Sequence, residues 1–127
     1  VLCICEIRKK GEKIMAIQIR YEWCLEELEE YEEGCFDIVE PNHADLKGDQ
    51  DLGWLLSTMD NAQFYFGIKK WFYNTEYDEA DWQHIYLYSD GKFSDQWSLD
   101  EFNLPKYVMK LFEPHRDKIL NHKNFRD

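Results

Sequence analysis

The chain has 127 residues, with 26 acids against 15 bases, a formal charge of −11 and a pI near 4.7. Aromatic residues make up 17 % of it and apolar residues 44 %, which excludes a disordered chain. The length fits one domain, no apolar run approaches the ~20 residues of a membrane span, and the charge opposes a phosphate backbone, so neither membrane nor direct nucleic-acid binding is expected.

Residues 1–14 are read as a translated leader or a disordered tail ahead of a single α+β domain over 15–127. Gly11-Glu12-Lys13-Ile14 back-translates to GGN GAR AAR ATH before the ATG of Met15, the pattern of a bacterial ribosome-binding site read in frame. The rival readings are a basic N-terminal arm and a secretory signal. A signal places its charges before its apolar stretch, whereas Arg8, Lys9 and Lys10 follow one. The segment holds four bases and two acids, so without it 113 residues carry −13. Cys24 and Cys35 then remain, too few for a disulfide framework, and are expected as reduced thiols in a cytoplasm.

Ile17, Ile19, Tyr21, Trp23 and Leu25 alternate with polar residues, the period of a half-buried strand. Glu29–Gly34 reads as the turn of a hairpin. Phe36–Val39 reads as its return, ended by Pro41, with Asn42–Gln50 a loop. Asp51–Met59 is a short helix with Leu52, Leu55, Leu56 and Met59 on one face, capped by Asp49 or Asp51. Gln63–Tyr73 is a strand and Asn74–Asp81 an acidic loop. Gln83–Tyr88 and Lys92–Trp97 flank Ser89-Asp90-Gly91, which predicts a hairpin with a type I′ turn. Ser98–Glu101 fits a capping box on one helical turn. A last helix is expected from Pro105, kinked or restarted at Pro114, with Val108, Leu111, Phe112, Ile119 and Leu120 on one face. The order β-β-α-β-β-β-α predicts an antiparallel sheet of about five strands with the helices over one face.

Charge is concentrated. From Glu22 to Asp51 there are twelve acids and one base, Lys47, whereas the rest of the chain balances at fourteen of each. The C-terminal stretch from Phe102 is mildly basic. Such a field steers a basic partner; a plain solvated surface is the competing reading.

Few residues form a catalytic pattern. His43, His84, His115 and His122 make no metal-type pair, and no further ligands join Cys24 and Cys35, so neither metal nor cofactor is expected. A calcium loop counted from Asp49 puts Trp54 where the bend requires glycine. No nucleophile elbow or phosphate-binding glycine loop occurs. Glu79, Asp81 and His84 are the tightest acid–histidine grouping. In the second hairpin Ile85 and Leu87 face one way, and Trp82, His84, Tyr86 and Tyr88 the other. The latter form an aromatic stripe of the kind that marks partner surfaces, unless the acidic loop or first hairpin covers it.

Tyr21-Glu22-Trp23, the acidic turn and Phe36-Asp37-Ile38, then Trp82–Tyr88, Asp90-Gly91-Lys92-Phe93 and Leu104-Pro105-Lys106, follow one another through most of Met15–Phe112. In this order they resemble small uncharacterised proteins encoded by phages and prophages. The resemblance implies a phage or mobile-element origin and brings no activity with it; the Asn74–Asp81 insertion and Pro114 depart from the pattern. The expected function is a small acidic, non-enzymatic binding protein in the cytoplasm of a bacterial host. Its carboxylates would stand in for phosphates on the basic surface of a nucleic-acid-handling protein, as an anti-defence inhibitor or an immunity protein against a nuclease toxin. Glu26, Glu27, Glu29, Glu30, Glu32, Glu33 and Asp37 are the expected contact residues. The alternatives are a small-ligand protein or enzyme using the aromatic face around His84, and a homo-oligomeric accessory protein.

Overall fold

In the computed structural model of the chain, residues 2–8, 14–46, 52–74, 76–98 and 100–127 are described. They form an α+β fold whose sheet is antiparallel except for one short pairing. The strands are β1 (Leu2–Arg8), β2 (Ile14–Glu32), β3 (Cys35–Asp45), β4 (Gln63–Asn74), β5 (Glu79–Leu87), β6 (Phe93–Asp95) and β7 (Phe125–Arg126). The helices are α1 (Leu52–Ser57), α2 (Lys106–Phe112) and α3 (Arg116–Leu120). Among the described residues no helix is long and apolar enough to cross a membrane.

The sheet is organised on β2 and β4, paired antiparallel from Ile17↔Asn74 to Leu28↔Gln63. Along its outer edge β2 takes β1 over Ile14–Arg20 and β3 over Glu22–Glu32. Leu2–Arg8, within the segment read as leader or tail, therefore takes an edge position as β1. The outer edge of β4 is likewise divided, between β5 at residues 67–74 and the parallel β7 at Phe64 and Tyr65.

One face of the sheet carries the core. Tyr21, Trp23 and Leu25 of β2, Phe64, Phe66 and Ile68 of β4, and Ile85 and Leu87 of β5 are all less than 5 % exposed. They meet Leu52, Leu55, Leu56 and Met59 from α1 and its following turn, and Val108, Phe112 and Ile119 from the C-terminal helices. Phe112 is the hub, with its ring centroid 5.9 Å from Phe66 and 4.9 Å from Phe93. Fully burying a side chain of this size contributes about 1.5–3 kcal/mol.

Several boundaries differ from the sequence reading. The first turn is only Glu33-Gly34, with Gly34 at φ 79°, because Glu29–Glu32 continue β2. β3 runs through Pro41 to Asp45. It pairs only with β2 there, an edge position of the kind that tolerates proline. β5 starts at Glu79 rather than Gln83, and β6 keeps only three of the expected residues. The Asp90-Gly91 turn is not type I′, since Gly91 alone has positive φ (82°). Gly91 N–H donates to Tyr88 O and Tyr88 N–H to Lys92 O, giving a three-residue loop with a glycine bulge. Ser98 caps no helix. Its Oγ accepts the Asp100 N–H at 3.3 Å, and Glu101 instead bridges to Ser94. Pro105 precedes the last helix rather than beginning it, and a single 3-10 turn at Glu113–His115 restarts the helix at Pro114 as expected. The Asp49 or Asp51 cap, the Lys47–Asp51 part of the calcium reading and Leu99 lie outside the described residues.

Candidate functional site

Two surfaces carry the residues singled out from the sequence. The first is the free end of the β2–β3 hairpin. β4 stops pairing with β2 at Leu28, so Glu29–Glu32 pair only with Cys35–Asp37 and project as a two-stranded arm. A register shift after Glu27 leaves Val39 unpaired and bends the arm at its root. The arm holds Glu29, Glu30, Glu32, Glu33 and Asp37, all exposed. None of them forms an ion pair among the described residues. Glu30 closes the turn by accepting the Gly34 N–H at 2.9 Å. Exposed Tyr31, Ile38 and Val39 are interleaved with these acids. The Arg126 guanidinium lies 4.4 Å from the Phe36 ring and ties the arm to the C-terminal strand.

Glu26 does not belong to this surface. It was expected among the exposed acids, but it is 6 % exposed and accepts a hydrogen bond from the Tyr86 hydroxyl. Glu27 is half-buried at the arm's root. The exposed acids therefore number five of the expected seven.

The second surface is the sheet face away from the helices. Ile85 and Leu87 enter the core as their alternation requires, so His84, Tyr86 and Tyr88 lie half-buried on the other face, with Trp82 51 % exposed. Register brings further residues beside them. Glu22 pairs with Lys69 and Lys69 with His84; Cys24 pairs with Gly67 and Gly67 with Tyr86; His43 pairs with Cys24. Among the described residues no helix covers them, yet Glu22 and Lys69 are only 8 % and 9 % exposed. Their neighbours do the burying. The Lys69 ammonium sits 4.3 Å from the Trp71 ring and 4.7 Å from the Trp82 ring, and the His84 and Tyr86 rings stack at 5.7 Å. Glu22 takes an ion pair from Arg20 at 3.1 Å and faces His43 Nδ1 at 3.6 Å. His43 Nε2 and Trp71 Nε1 are buried without a hydrogen-bond partner among the described residues.

This packing sets the protonation states. Burial, then Lys69 and His43, lowers His84 from 6.5 to about 4. Burial and Lys69 also hold His43 below its ordinary value. Both imidazoles are therefore neutral at pH 7. Burial, then Glu26, pushes the Cys24 thiol up to about 12, so it is neither a nucleophile nor a ready metal ligand. Tyr86 is held well above the ordinary phenol range by burial and by its bond to Glu26, and stays protonated.

Glu79 and Asp81 do not join His84. They fall on the opposite side of the β5 pleat, exposed, and Asp81 Oδ1 accepts the N–H of Trp82. Among the described residues no group of three His, Cys, Asp or Glu side chains could hold a metal ion. The sequence reading did not group Glu22, Cys24, His43 and Lys69. They are visible as a cluster only once β2, β3, β4 and β5 are placed in register. No family model matches the chain, and no curated protein or solved structure is significantly similar to it.

Proposed function

We propose that the protein is a small acidic, non-enzymatic binding protein that occludes a basic surface of a nucleic-acid-handling protein through the β2–β3 arm. The observation that carries this reading is the composition of the arm: five exposed acids without ion pairs among the described residues, interleaved with exposed Tyr31, Ile38 and Val39. Unpaired acids steer a basic partner and set its register, while aromatic and aliphatic side chains supply the contact area that charge alone does not. A merely solvated surface has no need of the second set. A phage or mobile-element origin, drawn from the sequence resemblance, and a bacterial cytoplasm, drawn from the few cysteines and the order of charge and apolar residues at the N-terminus, fit an inhibitor of host defence or a nuclease immunity protein.

The test compares the chain with the triple variant Glu29→Lys, Glu32→Lys, Glu33→Lys as bait in a host lysate at low and high salt. A basic protein retained by the parent chain, released by salt and lost with the variant supports the proposal. Equal retention by both baits overturns it.

A second reading, a small-ligand protein or enzyme using the face around His84, draws support from Glu22 and Lys69 buried beside a neutral imidazole. Its test is a small-molecule thermal-shift screen in which a stabilising compound loses its effect with Lys69→Met.

A further inference from the structure

The outer edge of β4 changes partner at Phe66: β5 leaves at the Gly67↔Tyr86 pair and β7 joins at Tyr65↔Arg126. The change of partner leaves a cavity of about 400 Å³ lined by Tyr65, Tyr86, Leu87, Tyr88 and Asp127. The Tyr65 and Tyr86 rings come from the same sheet face, since Tyr65 shares the pleat of Gly67 and Gly67 pairs with Tyr86, and Tyr88 joins them just past the end of β5. The Tyr65 and Tyr86 rings meet edge to face, 6.1 Å apart and inclined at 78°. The Asp127 carboxylate accepts the Ser89 N–H at 2.9 Å, and hydrogen bonding from the Ser89 side chain and then its backbone lowers the proton affinity of the carboxylate and keeps it ionised. Among the described residues no basic side chain lines the cavity.

We propose that this cavity is a cage for an organic ammonium or guanidinium group, held against the rings of Tyr65, Tyr86 and Tyr88 and balanced by the Asp127 carboxylate. Aromatic faces attract cations through the ring quadrupole, most strongly where water is excluded. The Tyr86 hydroxyl donates to buried Glu26, which fixes the ring's orientation and places a carboxylate at its hydroxyl end. The acidic field of the chain concentrates cations at such a site. The inference rests on the binding-protein reading only for the cation's source, a lysine or arginine side chain of a basic partner. A free alkylammonium compound is the other source of the same chemistry.

The experiment follows tyrosine ring resonances by NMR while tetramethylammonium, butylguanidinium or the neutral isostere neopentyl alcohol is added to the full chain. The proposal expects saturable shifts with the cations and not with the alcohol. It also expects a loss of roughly 10-fold in affinity with Tyr88→Leu, whose ring has no part in the Glu26 bond. A saturating response to the alcohol, non-saturating cation titrations, or unchanged affinity in a well-dispersed Tyr88→Leu spectrum overturns it. Displacement of a captured basic protein by butylguanidinium assigns the cage to a partner side chain. Saturation by tetramethylammonium without such displacement assigns it to a free ligand. The triple arm variant should still bind tetramethylammonium, so failure of the arm and failure of the cage are read separately.

Discussion

The Tyr86 hydroxyl donates to the Glu26 carboxylate across the whole width of an intervening strand. Tyr86 is on β5 and Glu26 on β2, with β4 between them, and the residue of β4 opposite Tyr86 is Gly67. A bare glycine there lets the phenol lie over the strand and bury a charge on a face that no helix covers. Tyr86→Phe keeps the ring but leaves a buried carboxylate without its donor. A hydrogen bond to a charged group is worth about 1.5–3 kcal/mol, so urea unfolding should show a loss of about 2 kcal/mol. Glu26→Gln, which retains an acceptor for the hydroxyl, should lose less.

Gly67 makes a second prediction. A Cβ built there lies 2.6 Å from Ile85 O, a backbone atom of the paired strand that cannot swing aside. Gly67→Ala gains about 0.4–1 kcal/mol from the unfolded chain but must push β4 and β5 apart. The net result should be a loss of about 1–3 kcal/mol, the range for overpacking, read as a lower urea midpoint at unchanged slope.

Much of this fold was legible in local pattern. The alternation from Ile17 to Leu25 marks β2 because its odd-numbered side chains meet an apolar layer. The apolar face of α1 and the break at Pro114 follow from helical spacing and a missing N–H. Pro41 misled because its effect depends on whether the strand lies at an edge, which sequence does not show. The site was less legible. Glu26 looks like any member of its acidic run, and what buries it is a tyrosine 60 residues away. Glu29 and Glu32, whose surroundings are local to the hairpin, lie exposed as expected.

His84 gives the protein a pH dependence whose sign is fixed. Its folded value is lowered from 6.5 to about 4, so between these limits the unfolded chain binds more protons than the folded one. Stability contributed by the neutral imidazole is complete above about 6.5, falls as pH is lowered, and levels off near 4. His43 is shifted in the same direction and adds to the slope. Urea midpoints measured from pH 7.5 to 5 should therefore decline, and His84→Gln should flatten the decline. A midpoint independent of pH over this range would contradict the neutral, buried state of the ring.

The two thiols in the β2–β3 hairpin should differ sharply in reactivity. Cys24 is 1 % exposed and its thiol is pushed up to about 12 by burial and then by Glu26, so almost no thiolate exists at pH 7.5. Cys35 is exposed at the mouth of the Glu33-Gly34 turn. Brief treatment of the native chain with a thiol-reactive disulfide, followed by peptide mapping, should label Cys35 and spare Cys24. In urea the two should react alike, because both the burial and the fixed proximity of Glu26 are lost on unfolding. Tyr86→Phe, by loosening the packing over Glu26, should raise the native labelling of Cys24 while leaving that of Cys35 unchanged. Equal labelling of the two cysteines in the native parent chain would place Cys24 in contact with solvent and remove the basis for a closed polar layer on this face of the sheet.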